Sequence, residues 1–242
     1  MFTTMDTNNT NWLRFLSRWA LLTALNYLGL ILGILILVIP ASQGSSLPEI
    51  YFELVAATRA PILYRLTIAL DVAAWLALGG LLLTFAALSI RHAPIRGVFI
   101  AACGLSMVSG FIGACFRLAG TSALAAGYLN ATSGEQTAIL QSYVELLRLI
   151  NILFSAGGLL GGIGLLLTGF TVWSMDLFPR WSNTMLILAG GMHMLKAAME
   201  LITGTDLGPL ALLANILAII ALFTIASVSW RRATVRQPIA AS

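Results

Sequence analysis

Charged side chains are scarce in this 242-residue sequence, at 9% of residues against 59% hydrophobic residues, and the mean hydropathy is +0.95. A soluble domain of ordinary composition carries about 25% charged residues. The shortage excludes a water-exposed globular protein. The length favours one compact helical domain over several domains.

Residues that ligate metals or act as nucleophiles are also few, with two cysteines and two histidines. Cys103 and Cys115 are about 18 Å apart along one predicted helix, so they cannot pair with each other. His92 and His193 fall at different predicted depths and cannot share a metal or a haem. The His-Glu-x-x-His and Gly-x-Ser-x-Gly patterns are missing from the sequence. We therefore expect no metal, no cofactor and no nucleic-acid partner, and a non-enzymatic role is favoured.

What the sequence does contain is six long apolar runs. A membrane-spanning helix needs about 20 apolar residues, and every run reaches that length. The first run is too long for the apolar part of a secretory signal, so it is interpreted as a retained anchor. The prediction is an all-α polytopic membrane protein: a single six-helix bundle at 19–230 between an N-terminal segment (1–18) and a tail (231–242). The predicted spans are 19–39, 62–90, 97–119, 144–173, 183–203 and 209–230.

The charges outside the spans are distributed unevenly between the two sides. Basic residues concentrate at the ends that share a side with both termini, namely Arg14, Arg18, Arg91, Arg96, Arg180, Arg231, Arg232 and Arg236. Acidic residues concentrate at the opposite ends. The positive-inside tendency therefore predicts cytoplasmic termini in a plasma or inner membrane. The longer loops, 40–61 and 120–143, would then face outward.

Helix-start signals occur in both outward loops. Ser46 followed by Glu49 resembles a capping box, and Ile50, Leu54 and Ala57 then recur at helical spacing. This pattern predicts a short interfacial helix before the second span. A similar signal at Ser133 predicts the start of a helix ahead of the fourth span.

Ionisable residues inside the spans form the candidate site, because a charge at a helix centre costs about 2.5–3.5 kcal/mol on insertion scales. They lie in the outer half of the predicted bundle, on four helices, and several recur at spacings that share a helix face. If these faces converge, the charges neutralise one another. The predicted cavity residues are Asp71, Arg148, His193, Lys196, Glu200, Arg117, Arg65 and Glu145. Whether Asp71 faces Lys196 or Arg148 stays open.

Glycine spacing predicts where helices approach closely. Gly157, Gly158, Gly161 and Gly162 give the fourth span two overlapping small-residue faces. In lipid, such faces allow two backbones to come together.

Three functions remain open at this stage. The first is a transport-like or small-ligand-binding protein, whose polar cavity takes a small solute or a proton. The second is a non-catalytic accessory or structural protein, in which the buried ion pairs serve assembly alone. The third is an intramembrane enzyme that uses a carboxylate with His193. In every case the lipid bilayer is the one partner that the composition requires.

The segment Leu177-Phe178-Pro179-Arg180-Trp181, followed by Leu186-Ile187-Leu188-Ala189-Gly190, resembles a motif of a bacterial family of six-span membrane proteins of unknown function. The resemblance covers this motif, the number of spans and the length. It implies a bacterial inner-membrane location. It implies no activity and no functional residues.

Overall fold

The structure is a computed structural model that describes residues 7–38, 40, 47–90, 92–204 and 207–234. All regular secondary structure in these residues is helical. The helices are α1 (Thr7–Gly33, continued by a π-helical turn at Ile34–Val38), α2 (Phe52–Arg59, after a 3-10 turn at Glu49–Tyr51), α3 (Pro61–Ser89), α4 (Pro94–Ser106), α5 (Val108–Asn130), α6 (Ser133–Ser174), α7 (Arg180–Thr203) and α8 (Gly208–Thr234).

Six segments of these helices are long and apolar enough to cross a membrane, which confirms the all-α class and the predicted number of spans. Helices α4 and α5 form one span together, interrupted at Met107. The spans are Asn11–Ile36, Pro61–Ser89, Pro94–Asn130, Ser133–Ser174, Arg180–Thr203 and Gly208–Thr234.

The outer surface of the bundle is apolar, as a lipid-facing surface has to be. Ile62 is 75% exposed, Ile95 74% and Phe99 60%, and many other large hydrophobic side chains are exposed around the bundle. Soluble monomers rarely expose continuous apolar surface of this kind. The surface and the spans together identify a membrane-embedded, multi-pass protein.

The spanning helices form a closed ring. Helix α1 contacts α3 and α8, α3 contacts α4 and α5, α5 contacts α6, and α7 packs between α6 and α8. The largest apolar core fills the ring with side chains that include Leu16, Leu82, Phe85, Leu186 and Leu222. Because the number of spans is even, the first and last described residues lie on the same side of the bundle, called the terminal side below. The other side is called the loop side.

The predicted outward loop at 120–143 is mostly helical, which corrects the sequence prediction. Helix α5 continues to Asn130, and α6 begins at Ser133 after a capping box formed by Thr132 and Glu135. At 1.5 Å per residue, the 42 residues of α6 extend about 63 Å, roughly twice the apolar thickness of a bilayer. The predicted spans ended where polar residues begin. A helix forms its own backbone hydrogen bonds, however, so it can continue outside an apolar environment.

A second, smaller core lies on the loop side, where α2 packs against α5. It contains Leu54, Ala57, Tyr64, Ala125 and Tyr143. The short helix predicted before the second span is thus present, but its regular part begins at Phe52. The proposed cap Ser46, the loop residue Arg91, the predicted end of the first span at 39, and residues 1–6 and 235–242 of the two terminal segments lie outside the described residues.

Candidate functional site

An ion network joins α2, α3 and α5 in the loop-side half of the bundle. The Arg117 guanidinium donates from Nε to Glu53 Oε2 at 2.9 Å, from Nη2 to Glu53 Oε1, and from Nη1 to Asp71 Oδ2 at 3.0 Å. The three side chains are 14%, 10% and 8% exposed for Arg117, Glu53 and Asp71 respectively. This fork geometry is the one by which arginine binds carboxylates most strongly.

Aromatic side chains support the network. The Tyr64 hydroxyl donates to Glu53 Oε2 at 3.3 Å, and Arg117 Cζ lies 5.9 Å from the centre of the Phe154 ring. Phe154 stacks on Trp75, with the ring centres 5.7 Å apart and the planes at 13°. Trp75 follows Asp71 by one helical turn on α3, and its indole lies beside the Asp71 carboxylate. These contacts fix the position of both the cation and the carboxylate.

A second ion pair lies on α7. Lys196 Nζ donates to Glu200 Oε1 at 2.5 Å, and the Ser155 hydroxyl of α6 donates to Glu200 Oε2 at 3.0 Å. The spacing of four residues puts Lys196 and Glu200 on one helix face. Both oxygens of Glu200 therefore have a donor.

Asp71 and Arg117 of the network line the same cavity as the Lys196–Glu200 pair. This cavity has a volume of about 350 Å³. It lies at the centre of the ring and reaches α1 through Tyr27 and α8 through Asn215. His193 also lines the cavity and lies near Asn215. The His193 Nε2 and Asn215 Oδ1 atoms are buried without a protein hydrogen-bond partner. The residues that bring charge to the cavity are Asp71, Arg117, Lys196 and Glu200.

Five of the eight predicted cavity residues share this cavity: Asp71, Arg117, His193, Lys196 and Glu200. The other three do not line it. Glu145 and Arg148 pair with each other at 2.7 Å on an exposed face of α6, with side chains 68% and 69% exposed. Arg65 is exposed and lines a groove between α3 and α5.

Two features of the site differ from the sequence interpretation. The counter-charge of Asp71 is Arg117, whereas the open question had been between Lys196 and Arg148. Arg148 lies on the solvated surface of α6, so it does not need a buried partner. The sequence reasoning also missed Glu53, which it left in an outward loop. One signal was available: Glu53 is the single acidic residue beside the apolar stretch Leu54–Ala57, which becomes buried with it.

The chain is thus a multi-pass helical membrane protein with a charged cavity between its spans. In the described ranges, no three His, Cys, Asp or Glu side chains are arranged to hold a metal ion. No protein-family model, curated protein or solved structure matches the chain. The resemblance at Leu177–Gly190 therefore stays a prediction.

Proposed function

We propose that this protein binds a small polar solute in the central cavity, in a transport-like or solute-binding role. The observation that carries the proposal is that Asp71, His193 and Lys196, which come from α3 and α7, line one cavity inside the spanning part of the bundle. Charged and titratable side chains are expensive in this environment, and those that occur there commonly mark solute or ion pathways.

The cavity has the properties of a small-ligand site. Its walls are mostly apolar and glycine-rich, and a few polar groups from different helices converge on the interior. Its volume of about 350 Å³ suits a molecule of a few to a dozen heavy atoms.

The proposal includes an orientation with cytoplasmic termini in a bacterial inner membrane. The described arginines of the terminal side support it: Arg14, Arg18, Arg96, Arg180, Arg231 and Arg232. The cavity charges would then lie in the outer half of the membrane.

The experiment measures solute-dependent stabilisation of the full-length protein in lipid nanodiscs. A ligand that binds the folded state alone raises its unfolding temperature, so a panel of small polar solutes can be compared by thermal shift. Ala211→Phe fills the cavity without removing a charge, because Ala211 lines it. The same change at Ala102, which is exposed on α4, is the matched control.

We expect at least one solute to stabilise the wild type and the Ala102→Phe variant, and Ala211→Phe to lose this response. A stabilised protein would then be tested for uptake in proteoliposomes. A panel without any stabilising solute, or a response that survives in Ala211→Phe, contradicts the proposal.

A second function is favoured by a different observation: the hydrogen bonds among Glu53, Arg117 and Asp71 close the network on itself. A closed network serves assembly without any ligand, as in a non-catalytic accessory protein. Under this alternative no solute changes the stability of the wild type.

A further inference from the structure

The charges of the cavity and of Glu53, which binds Arg117 just outside it, do not balance. Glu200 has Lys196 as its own counter-ion, whereas Asp71 and Glu53 share Arg117. Among the described residues of the site, three carboxylates thus face two permanent cations. One negative charge is left over whenever His193 is neutral. Because an uncompensated charge is costly inside a membrane, the arrangement favours a positively charged occupant.

Asp71 is the carboxylate best able to bind that occupant. Glu53 uses both oxygens on Arg117, and both oxygens of Glu200 accept from Lys196 and Ser155. Asp71 accepts from Arg117 through Oδ2 and has the Trp75 indole beside it, but it shares the charge of Arg117 with Glu53 and so has no cation of its own among the described residues. Asp71 also lines the cavity, whereas Glu53 does not.

The wall around Asp71 suits an organic cation better than a metal ion. Tyr27 and Trp75 line the same cavity, and aromatic rings attract ammonium groups. A hard metal cation needs about six oxygen ligands. Within the described ranges no cluster of three possible metal-ligating side chains is present. The volume of about 350 Å³ also exceeds what a bare ion would fill.

From the charge count and this wall, we infer that the cavity binds a small organic monovalent cation of the ammonium class, with Asp71 as its counter-ion. This inference rests on the proposed solute-binding function and specifies its ligand. The ligand's positive charge restores neutrality, and its ammonium group lies between Asp71 and the aromatic wall.

The test uses three probes of nearly equal shape and different charge. Tetramethylammonium carries one positive charge, tert-butanol none and pivalate one negative charge. Binding to the full-length protein in uncharged nanodiscs is measured by tryptophan fluorescence and calorimetry, at constant ionic strength and about pH 8, above the ordinary pKa of histidine. We expect tetramethylammonium to bind at least tenfold more tightly than either of the other probes.

Two variants locate the binding. Asp71→Asn should weaken tetramethylammonium binding at least tenfold, because the remaining carboxylates and cations of the site then balance without a ligand. Glu49→Gln removes an equal charge from an exposed position near α2 and should leave the affinity unchanged. The comparison of the three probes on the wild type needs no variant, so the test holds even if Asp71→Asn fails to fold.

The outcomes separate this inference from the proposed function. If tert-butanol or pivalate binds as tightly as tetramethylammonium, or if Asp71→Asn leaves tetramethylammonium affinity intact, the cation assignment is overturned while solute binding stands. If neither these probes nor the solute panel binds, both proposals are overturned.

Discussion

Arg117 donates to Asp71 across 3.0 Å, and this bond joins the third span to the second inside the bundle. The same guanidinium holds Glu53 of α2 with two more bonds. One cation therefore fixes three helices. Removing it leaves two buried carboxylates without a counter-charge, whereas removing Asp71 leaves Arg117 still paired with Glu53.

The first prediction ranks the effects of these two losses. Arg117→Met should lower the free energy of unfolding by about 3–5 kcal/mol, the usual cost of breaking a buried pair from one side. Asp71→Asn should cost about 1–2 kcal/mol, since one hydrogen-bonding partner is lost and the charge is removed with it. Denaturant unfolding in mixed micelles measures both values. Equal losses, or a larger loss for Asp71→Asn, would contradict the geometry described above.

The second prediction concerns the attachment of α2. Glu53 ties this eight-residue helix to the bundle through Arg117, with Tyr64 as a further partner. Glu53→Gln should weaken that tie, and hydrogen exchange of the α2 amides should become at least tenfold faster. Amides of α6 and α7 should keep their protection. Glu49→Gln, an exposed change just before α2, serves as the control; unchanged exchange in Glu53→Gln would show that apolar packing alone holds α2.

The third prediction tests the closest helix crossing. A Cβ atom added at Gly190 would lie 2.6 Å from the Gly162 carbonyl oxygen and 2.6 Å from the Leu166 nitrogen. Gly190→Ala should therefore separate α6 from α7 and cost about 1–3 kcal/mol, as overpacking does. The next residue gives a matched control, since a Cβ at Gly191 meets nothing within 4 Å. Similar unfolding free energies for Gly190→Ala and Gly191→Ala would count against this crossing.

The fourth prediction concerns the pair that lies outside the cavity. Glu145 and Arg148 are more than two-thirds exposed, and exposed ion pairs contribute about 0–1 kcal/mol. Glu145→Gln should change the free energy of unfolding by less than about 0.5 kcal/mol and leave solute binding unaltered. Denaturant unfolding and the solute panel check both points. A large loss of stability would mean that α6 is buried against something at this face.

The fifth prediction concerns orientation. Reporter fusions after residue 234 should be active when they require the cytoplasm, and fusions in the turn at Ala131–Thr132 should be active when they require the opposite side. Reversal of charge at Arg96 and Arg180 together should lower the fraction of correctly oriented protein. Cytoplasmic activity of the fusions at 131–132 would refute cytoplasmic termini.

Particular residues show how far the sequence could predict this fold. The spans follow from hydropathy and length, since lipid requires long apolar helices with internally satisfied backbones. The helix ends were predicted less accurately. Helices α5 and α6 continue through most of 120–143, because a helix with a capped end, such as the one that begins after Thr132, can also extend into water. The glycines predicted as a close-packing face do meet α7, at Gly162, but the sequence did not indicate which helix would be the partner.

Hydropathy and segment length were enough to predict six membrane-spanning helices with ionisable groups among them. Both conclusions depend on local properties, namely the hydropathy of each segment and the cost of a charge within it. Which charges meet depends instead on the packing of the helices. The choice of Arg117 over Lys196 for Asp71, and the recruitment of Glu53 from α2, depend on how helices distant in sequence rotate and pack around one ring. Hydropathy and periodicity along the chain contain no information about that rotation.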